Sequence, residues 1–239
     1  MDQKSPIELW EESADAWIVD QGSEGDQSRR LILDPALEPW LSGLAGKRVL
    51  DLGCGQGRYC GKMLSCGVKA VGIDPVEKFI AKAKGDHPNG EFEVAVAENL
   101  PFEDDSFDVV LSYLTIIDIP DLEKAADEIA RILRPGGEFK IVTISNLAST
   151  SDGWVKDDEG NRLYRTIDRY MEHFSLDLEW RGIRVRNFHR PLSYILKLFF
   201  DRGLVMTEFL EPLPPKDHNW YREEFRVPNF QIYGLRKEK

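Results

Sequence analysis

Residues 49–57 read VLDLGCGQG, and Asp74 follows at the end of the run AVGID. An apolar strand that ends at an acidic residue and a glycine-rich turn is typical of a parallel sheet that holds a nucleoside cofactor. The dinucleotide fingerprint requires one more glycine at the position of Arg58. The turn is therefore predicted to lie against an amino acid and a ribose and not against a pyrophosphate.

The 49–57 run resembles motif I of the class I S-adenosylmethionine (SAM)-dependent methyltransferases, and later segments resemble further motifs of this family in the usual order. Asp74 matches the acidic residue that ends the family's second strand. The other matching segments are Ala97–Phe102 on the adenine side, Phe107–Val110 in the fourth strand and Arg131–Gly137 before the fifth. The resemblance covers roughly residues 30–145 and implies a Rossmann-like α/β sandwich with a seven-stranded, mostly parallel sheet.

Apolar periodicity predicts the same fold class, because strands and helices alternate after residue 45 and this alternation calls for a parallel sheet with helices on both faces. The predicted strands are 48–52, 69–73, 91–97, 107–114, 138–144, 204–210 and 230–236. The predicted helices are 59–65, a helix from Pro75 to Lys84, 122–133 and 192–202.

The chain is predicted to form a single domain over residues 1–239 with two additions to the sheet. Residues 1–40 are rich in tryptophan and acidic residues and are predicted to form a helical cap over the cofactor mouth. Residues 146–190 are predicted to form an insert that covers the substrate, as the resemblance implies. Within it, 178–188 alternates like one strand, with 162–170 as its expected partner.

Composition narrows the classes of partner. The net charge of −11 argues against nucleic acid, whose binding requires a basic surface. No apolar run reaches the length of about 18 residues that a membrane helix needs. The start MDQKSPIELW does not resemble a signal peptide and the three cysteines show no paired spacing, so we expect a cytoplasmic protein.

The resemblance assigns cofactor contacts to the first turn. It implies that the backbone of Gly53 and Gly55 packs against the methionine part of SAM and that Asp51 orders the loop and reaches the amino group. Cys54 is also predicted to line the cofactor site, because it lies within the same turn. The alternative is a tight strand-to-helix turn without a ligand.

The next contacts follow the second and third strands. Asp74 is predicted to accept both ribose hydroxyls, with Pro75 beside it, although Asp74 also suits a helix N-cap and one carboxylate has oxygens for both roles. In the family an aspartate at the position of Glu98 often meets the adenine amino group, so the resemblance implies that the Ala97 backbone and either Glu98 or Asn99 make this contact here. Glu98 also suits a solvated loop.

Two residues near the end of the fourth strand are candidates for the reaction centre. Tyr113 is predicted to contact the methionine part, with a strand-end aromatic as the alternative. Many relatives carry two histidines before a Val-Pro-Asp turn, whereas this chain has Ile117 and Asp118 there. Asp118 is a candidate catalytic residue that faces the substrate, and a helix-entry turn is the alternative.

Candidates in the insert and the cap complete the site. His189 is a candidate base, because a histidine titrates near neutral pH, and anchoring of the insert is the alternative. Trp17 and Trp180 are predicted to wall an aromatic substrate pocket. Arg184 is predicted to bind an anionic substrate, or else to lie on a solvated face paired with the acidic run 157–159.

The sequence thus predicts a methyltransferase that uses SAM, releases S-adenosylhomocysteine and methylates an oxygen or nitrogen of a small molecule. Such a reaction depends mainly on alignment. No metal is predicted, since no cluster has ligand spacing. The alternatives are a SAM-binding regulatory or partner protein without catalysis and a nicotinamide or flavin oxidoreductase, which Arg58 opposes. A protein or RNA acceptor is less consistent with the acidic charge and the covering segments.

Overall fold

A computed structural model describes residues 4–239, and residues 1–3 of the predicted cap lie outside the described residues. The strands are β1 (Arg48–Leu52), β2 (Lys69–Asp74), β3 (Glu91–Val94), β4 (Phe107–Tyr113), β5 (Leu133–Ile144), β6 (Trp154–Lys156), β7 (Arg162–Arg165), β8 (Phe174–Trp180), β9 (Ile183–His189), β10 (Leu204–Leu210) and β11 (Phe230–Lys237). The helices are α1 (Pro6–Gln21), α2 (Asp34–Leu41), α3 (Arg58–Ser65), α4 (Glu77–Asp86), α5 (Leu122–Ile132), α6 (Leu192–Phe200) and α7 (Asn219–Glu223). A π-helical turn, Arg29–Leu33, leads directly into α2.

The central sheet has seven strands in the order β10-β11-β5-β4-β1-β2-β3. Pairings from β3 across to β5 are parallel, and only β11 runs against both of its neighbours. The predicted fold class is confirmed. The strand order reverses between β1 and β4, and ligands of open α/β sheets bind at the carboxyl ends of the strands at such a point.

Alternate residues of the central strands face two separate cores. Leu50 and Leu52 of β1 pack on one side with α5 and α6, whereas Val49 packs on the other side with α2, α3 and α4. This period-two division is what a strand buried on both faces requires. It makes the sheet a rigid support for the loops at its carboxyl edge.

The N-terminal helix α1 is fixed across this edge. Ser5 and Glu8 form a capping box that defines its start. Midway along the helix, the Ser13 hydroxyl accepts from the Arg184 backbone N–H at 2.8 Å and donates to the Arg184 carbonyl at 2.9 Å. Helix α1 is thereby held against β9.

The insert differs from the prediction of one strand over 178–188. Strands β8 and β9 form an antiparallel hairpin, and 162–170 does not pair with it, because β7 pairs with β6. The hairpin turns at Arg181 and Gly182, whose φ angles of 46° and 80° suit a two-residue turn. Alternation continues through both arms, so the periodicity alone did not locate the turn.

Asp34, at the start of α2, joins three elements through a buried network. Its carboxylate accepts from Arg58 of α3 at 2.7 and 3.1 Å and from the Tyr113 hydroxyl of β4 at 2.8 Å. Lys62 approaches the same carboxylate at 2.8 Å. The Arg58 and Asp34 side chains are only 8% and 6% exposed, so each charge depends on the other for compensation.

We expect Asp34→Asn to lower the free energy of unfolding by about 3–5 kcal/mol, because it leaves the Arg58 guanidinium buried without a countercharge. Lys62→Met is the matched control, since that side chain is 38% exposed and its removal should cost below about 1 kcal/mol. Urea unfolding of both variants measures the difference. Equal losses of unfolding free energy in the two variants would contradict the proposed contribution of the Asp34–Arg58 pair to stability.

Candidate functional site

A cavity of about 340 Å³ lies at the carboxyl ends of β1, β2 and β4, beneath α1 and the β8–β9 hairpin. It is lined by the predicted cofactor positions Asp51, Gly53, Cys54, Gly55, Asp74, Pro75, Ala97, Glu98 and Tyr113. Asn99 does not line it, because the loop turns back there, with the Asn99 N–H donating to the Val96 carbonyl at 3.2 Å. The structure therefore contradicts the prediction that Asn99 contacts the cofactor.

The glycine turn presents bare backbone to the cavity. Gly53 has a φ of 72°, and a Cβ there would lie 2.3 Å from the Thr115 side chain. Gly55 has a φ of 54°, and a Cβ there would meet only the Trp17 indole nitrogen, at 3.9 Å. The first glycine is thus required by packing, and the second leaves room for a ligand to approach the chain.

Asp51, at the base of the cavity, has an unsatisfied oxygen. Its Oδ2 accepts from the Cys60 thiol at 3.4 Å, but its buried Oδ1 has no hydrogen-bond partner. Burial raises the pKa of this carboxyl to about 7. A buried acceptor without a partner is costly, so the site is suited to a ligand that donates hydrogen bonds, above all a cation.

Asp74 connects the turns that follow two neighbouring strands. Its Oδ2 accepts from the Gly55 N–H at 3.0 Å, and its Oδ1 accepts from the Val76 N–H at 2.9 Å. Burial raises the pKa of Asp74 to about 6. Each oxygen retains acceptor capacity, so a structural role and a ribose role remain compatible. The prediction that the next helix begins at Pro75 was wrong, because Pro75 precedes Val76, the N-cap residue of α4.

Arg29 is a wall residue that the sequence reasoning missed. Its guanidinium lies 5.2 Å from the centre of the Trp17 ring and 5.7 Å from that of Tyr113, and it pairs with Asp26. The Tyr113 hydroxyl is itself committed to Asp34, so this tyrosine presents its ring to the cavity. A basic residue in the run RRLIL resembles an ordinary solvated helix position, and no pattern identified it.

The far end of the cavity is aromatic. Trp17 and Trp180 line it together with Trp10, whose ring lies edge-on to Trp17 with centroids 5.0 Å apart. Because α1 supplies two of these rings and the hairpin supplies the third, the cap and the insert close the cavity from different sides.

Asp118 is the carboxylate at this aromatic end, partly exposed to the cavity. The side-chain amide of Asn187 donates a hydrogen bond to it. Burial, reinforced by the negative charge of Asp74 and opposed by Arg29, raises its pKa to about 8. The predicted position at the substrate side is consistent with this geometry, and its catalytic role stays a prediction.

His189 does not reach the cavity. Its Nε2–H donates to the Tyr170 carbonyl at 2.9 Å, its Nδ1 pairs with the Ser149 hydroxyl at 2.8 Å, and its ring stacks on Phe174. Burial lowers its pKa. The structure contradicts the prediction of a base at this position and favours the anchoring alternative, because both ring nitrogens are occupied within the insert.

Arg184 also lies outside the cavity. Its side chain is exposed and approaches Glu179, across the hairpin, at 3.4 Å. The prediction of a substrate contact is therefore corrected. The alternative of a solvated strand face fits, although the acidic partner of Arg184 is Glu179 of β8 and not a residue of the run 157–159.

Clusters of metal ligands and membrane-spanning helices are both absent from the described residues 4–239. No group of three or more histidine, cysteine, aspartate or glutamate side chains in this range is arranged to hold a metal ion. None of the helices over the same range combines the length and the apolar character needed to cross a membrane.

Comparison with known proteins gives the class of this fold and site. A family profile described as a methyltransferase domain matches residues 50–141. A SAM-dependent methyltransferase structure from Mesorhizobium loti superposes with a TM-score of 0.78 at 27% identity, covering 90% of this chain and all (100%) of that one. The fold is that of the class I SAM-dependent methyltransferases, and this similarity supports SAM as the cofactor, as predicted.

The sequence relatives are matched over part of their length. An uncharacterized methyltransferase of Mycobacterium bovis is 32% identical over 123 residues, which cover 52% of this chain and 49% of the relative. Norajmaline N-methyltransferase of Rauvolfia serpentina is 33% identical over 144 residues, which cover 56% and 47%. The chain thus spans about half the length of these curated relatives.

We expect His189→Ala to lower the unfolding temperature while leaving the affinity for S-adenosylhomocysteine within about twofold, because the imidazole binds only insert residues. Thermal unfolding and calorimetric titration of the same preparation test this. Phe188→Ala, at the neighbouring position of β9, provides a control for general damage to the hairpin. If His189→Ala lost affinity for S-adenosylhomocysteine without any change in unfolding temperature, His189 would have a role in the cavity.

Proposed function

We propose that this chain transfers the methyl group of SAM to an oxygen or nitrogen nucleophile of a small molecule and releases S-adenosylhomocysteine. The observation that carries the proposal is the division of one cavity into a glycine-turn end with unsatisfied Asp51 and an aromatic end with Asp118. The similarity to norajmaline N-methyltransferase supports a small acceptor.

The residues at the glycine-turn end fit the groups of the cofactor. Asp51 offers its unpartnered oxygen to the ammonium group, and Arg29 offers a guanidinium to the carboxylate of the same amino acid part. Asp74 keeps acceptor capacity for ribose hydroxyls after its bonds to Gly55 and Val76. Ala97 and Glu98 line the cavity where the adenine is expected.

SAM, when bound, supplies a methyl group on a positively charged sulfur. The chain then has to align an acceptor and exclude water, and alignment accounts for much of the rate in such displacements. Trp10, Trp17 and Trp180 wall the acceptor end. Asp118 is proposed as the group that takes the proton from the nucleophile, because a carboxyl with a pKa of about 8 holds a proton more firmly than an ordinary aspartate.

The charge and the enclosed cavity bear on the kind of partner that this chain binds. The net charge of −11 and the enclosure of the cavity by α1 and the hairpin support a small molecule over a nucleic acid. The described cysteines are free, and we propose a cytoplasmic location, where free thiols persist.

The cofactor assignment is tested by comparing two ligands that share the nucleoside. We expect Asp51→Asn to weaken S-adenosylhomocysteine by about 1–3 kcal/mol, through loss of a charge-assisted hydrogen bond, and to leave 5′-methylthioadenosine, which lacks the amino acid part, almost unchanged. Asp74→Asn should weaken both ligands. Calorimetric titration measures the four affinities, and unchanged binding of both ligands by both variants would reject the assignment.

The catalytic assignment is tested on an acceptor found by screening amines and phenols for S-adenosylhomocysteine release. A base acts in its carboxylate form, so kcat/KM should rise with pH and level off near pH 8, the pKa of Asp118. Asp118→Asn should lower kcat by about 10²–10⁴-fold and remove this rise. Asn187→Ala is the companion variant, which should shift the inflection upward because the carboxylate loses a donor.

A rise that persists in Asp118→Asn would assign the inflection to the nucleophile itself. Tight binding of S-adenosylhomocysteine without turnover of any acceptor would instead favour a SAM-binding protein that does not catalyse.

A further inference from the structure

A second cavity of about 280 Å³ adjoins the first. Ser28, Ile144 and Phe230 line both cavities, so the two meet at these side chains. The other walls of the second cavity come from the loop after β5, the end of β7 and the segment around α7. A molecule that passes this junction would have one end near Asp118 and the other in the second cavity.

Arg165, the last residue of β7, is the cationic side chain on this second wall. Within residues 4–239 it makes no hydrogen bond or ion pair, and its buried Nε has no partner. Glu224, the acidic side chain that lines the same cavity, is bound to Arg162 at 2.8 Å. The partly buried Arg165 guanidinium therefore has a buried N–H without a partner and, among the described residues, no carboxylate in an ion pair with it.

The guanidinium of Arg165 is held in place by an aromatic ring. It lies 5.1 Å from the centre of the Trp154 ring, and the guanidinium of Arg226 lies 4.6 Å from the same ring. The Trp154 indole N–H is buried and has no acceptor. Of these two unpaired donors, Arg165 lines the second cavity, so its N–H calls for a ligand there that accepts hydrogen bonds.

The local charge balance favours an anion over a neutral acceptor group. Arg162 binds both Glu223 and Glu224, at 3.0 and 2.8 Å, so both carboxylates are paired with a different arginine, and these side chains together with Arg165 and Arg226 carry one net positive charge. Arg226 donates to the Arg162 carbonyl and adds a further positive charge. Burial lowers the pKa of Arg165, as expected for a cation without a bound counterion.

We propose that the second cavity binds a carboxylate or phosphate group of the methyl acceptor through Arg165. The acceptor would then have two ends, a nucleophile near Asp118 and an anion beside Arg165. Trp220, Phe225 and Phe230 line the second cavity and would hold the carbon skeleton next to the anion. This inference rests on the proposed function, because it describes the acceptor of that reaction.

The test uses three aromatic probes on the full chain saturated with S-adenosylhomocysteine, so that the first cavity is filled at its cofactor end. Benzoate carries a carboxylate, phenyl phosphate carries a phosphate, and benzamide is the neutral counterpart of benzoate. Ligand-observed NMR titration gives the affinities for the wild type and for Arg165→Met, Arg165→Lys and Arg226→Met.

We expect at least one of the two anions to bind the wild type about tenfold or more tightly than benzamide. Arg165→Met should remove this preference, and Arg165→Lys should retain part of it, because the charge remains without the planar donor set. Arg226→Met should retain it, since Arg226 contacts the same ring but does not line the cavity. The stronger of benzoate and phenyl phosphate identifies the anion.

Equal affinity of the wild type for all three probes would overturn the proposal, even if no Arg165 variant folded. An equal loss in Arg165→Met and Arg226→Met would also overturn it, because the effect would then come from the stack around Trp154. Failure of S-adenosylhomocysteine to bind would count against the proposed function instead. Anion preference can then still be measured without the nucleoside.

Discussion

The carboxylate of Asp74 is the constraint on which the site depends, because it connects the two turns that leave the centre of the sheet. One oxygen holds the Gly55 N–H after β1, and the other holds the Val76 N–H before α4. Strand order reverses between β1 and β4, so a crevice opens beside the turn that follows β1. The Asp74 carboxylate, together with the hydrogen bond from the Cys54 N–H to the Ile73 carbonyl, holds the glycine backbone at this crevice.

This arrangement costs stability. Asp51, Asp74 and Asp118 lie in one cavity, and burial raises their pKa values to about 7, 6 and 8. A carboxyl whose folded-state pKa lies above its unfolded value stabilises the fold at low pH, and that contribution is lost as the pH rises through the folded pKa. Near neutral pH the free protein therefore retains charges that a cationic ligand would compensate. The buried negative charges therefore destabilise the free protein, and binding of a cationic ligand would relieve this destabilisation.

The sequence predicted the parts of the molecule that depend on local pattern. The strand Arg48–Leu52 and the glycine turn after it follow from an apolar run and from backbone that only glycine adopts, so both were located correctly. The hairpin turn at Arg181 was missed because the alternating pattern of side chains continues without a break from β8 through the turn into β9. The role of His189 was misjudged because an anchoring histidine and a catalytic one differ only in their neighbours, which lie far away in sequence.

The residues of the aromatic walls and of the second cavity lie mainly outside the segment 50–141 that the family profile matches. Trp10 and Trp17 come from α1, Trp180 comes from the hairpin, and Arg165 comes from β7. The matched segment contains the glycine turn, Asp74, Ala97 and Glu98, whose positions are set by the sheet. The proposed acceptor end is built largely from segments that pack onto this sheet through contacts such as Ser13 with Arg184. Because most of the aromatic walls come from those segments, substitutions there can change the shape of the proposed acceptor end without disturbing the turn that Asp74 holds.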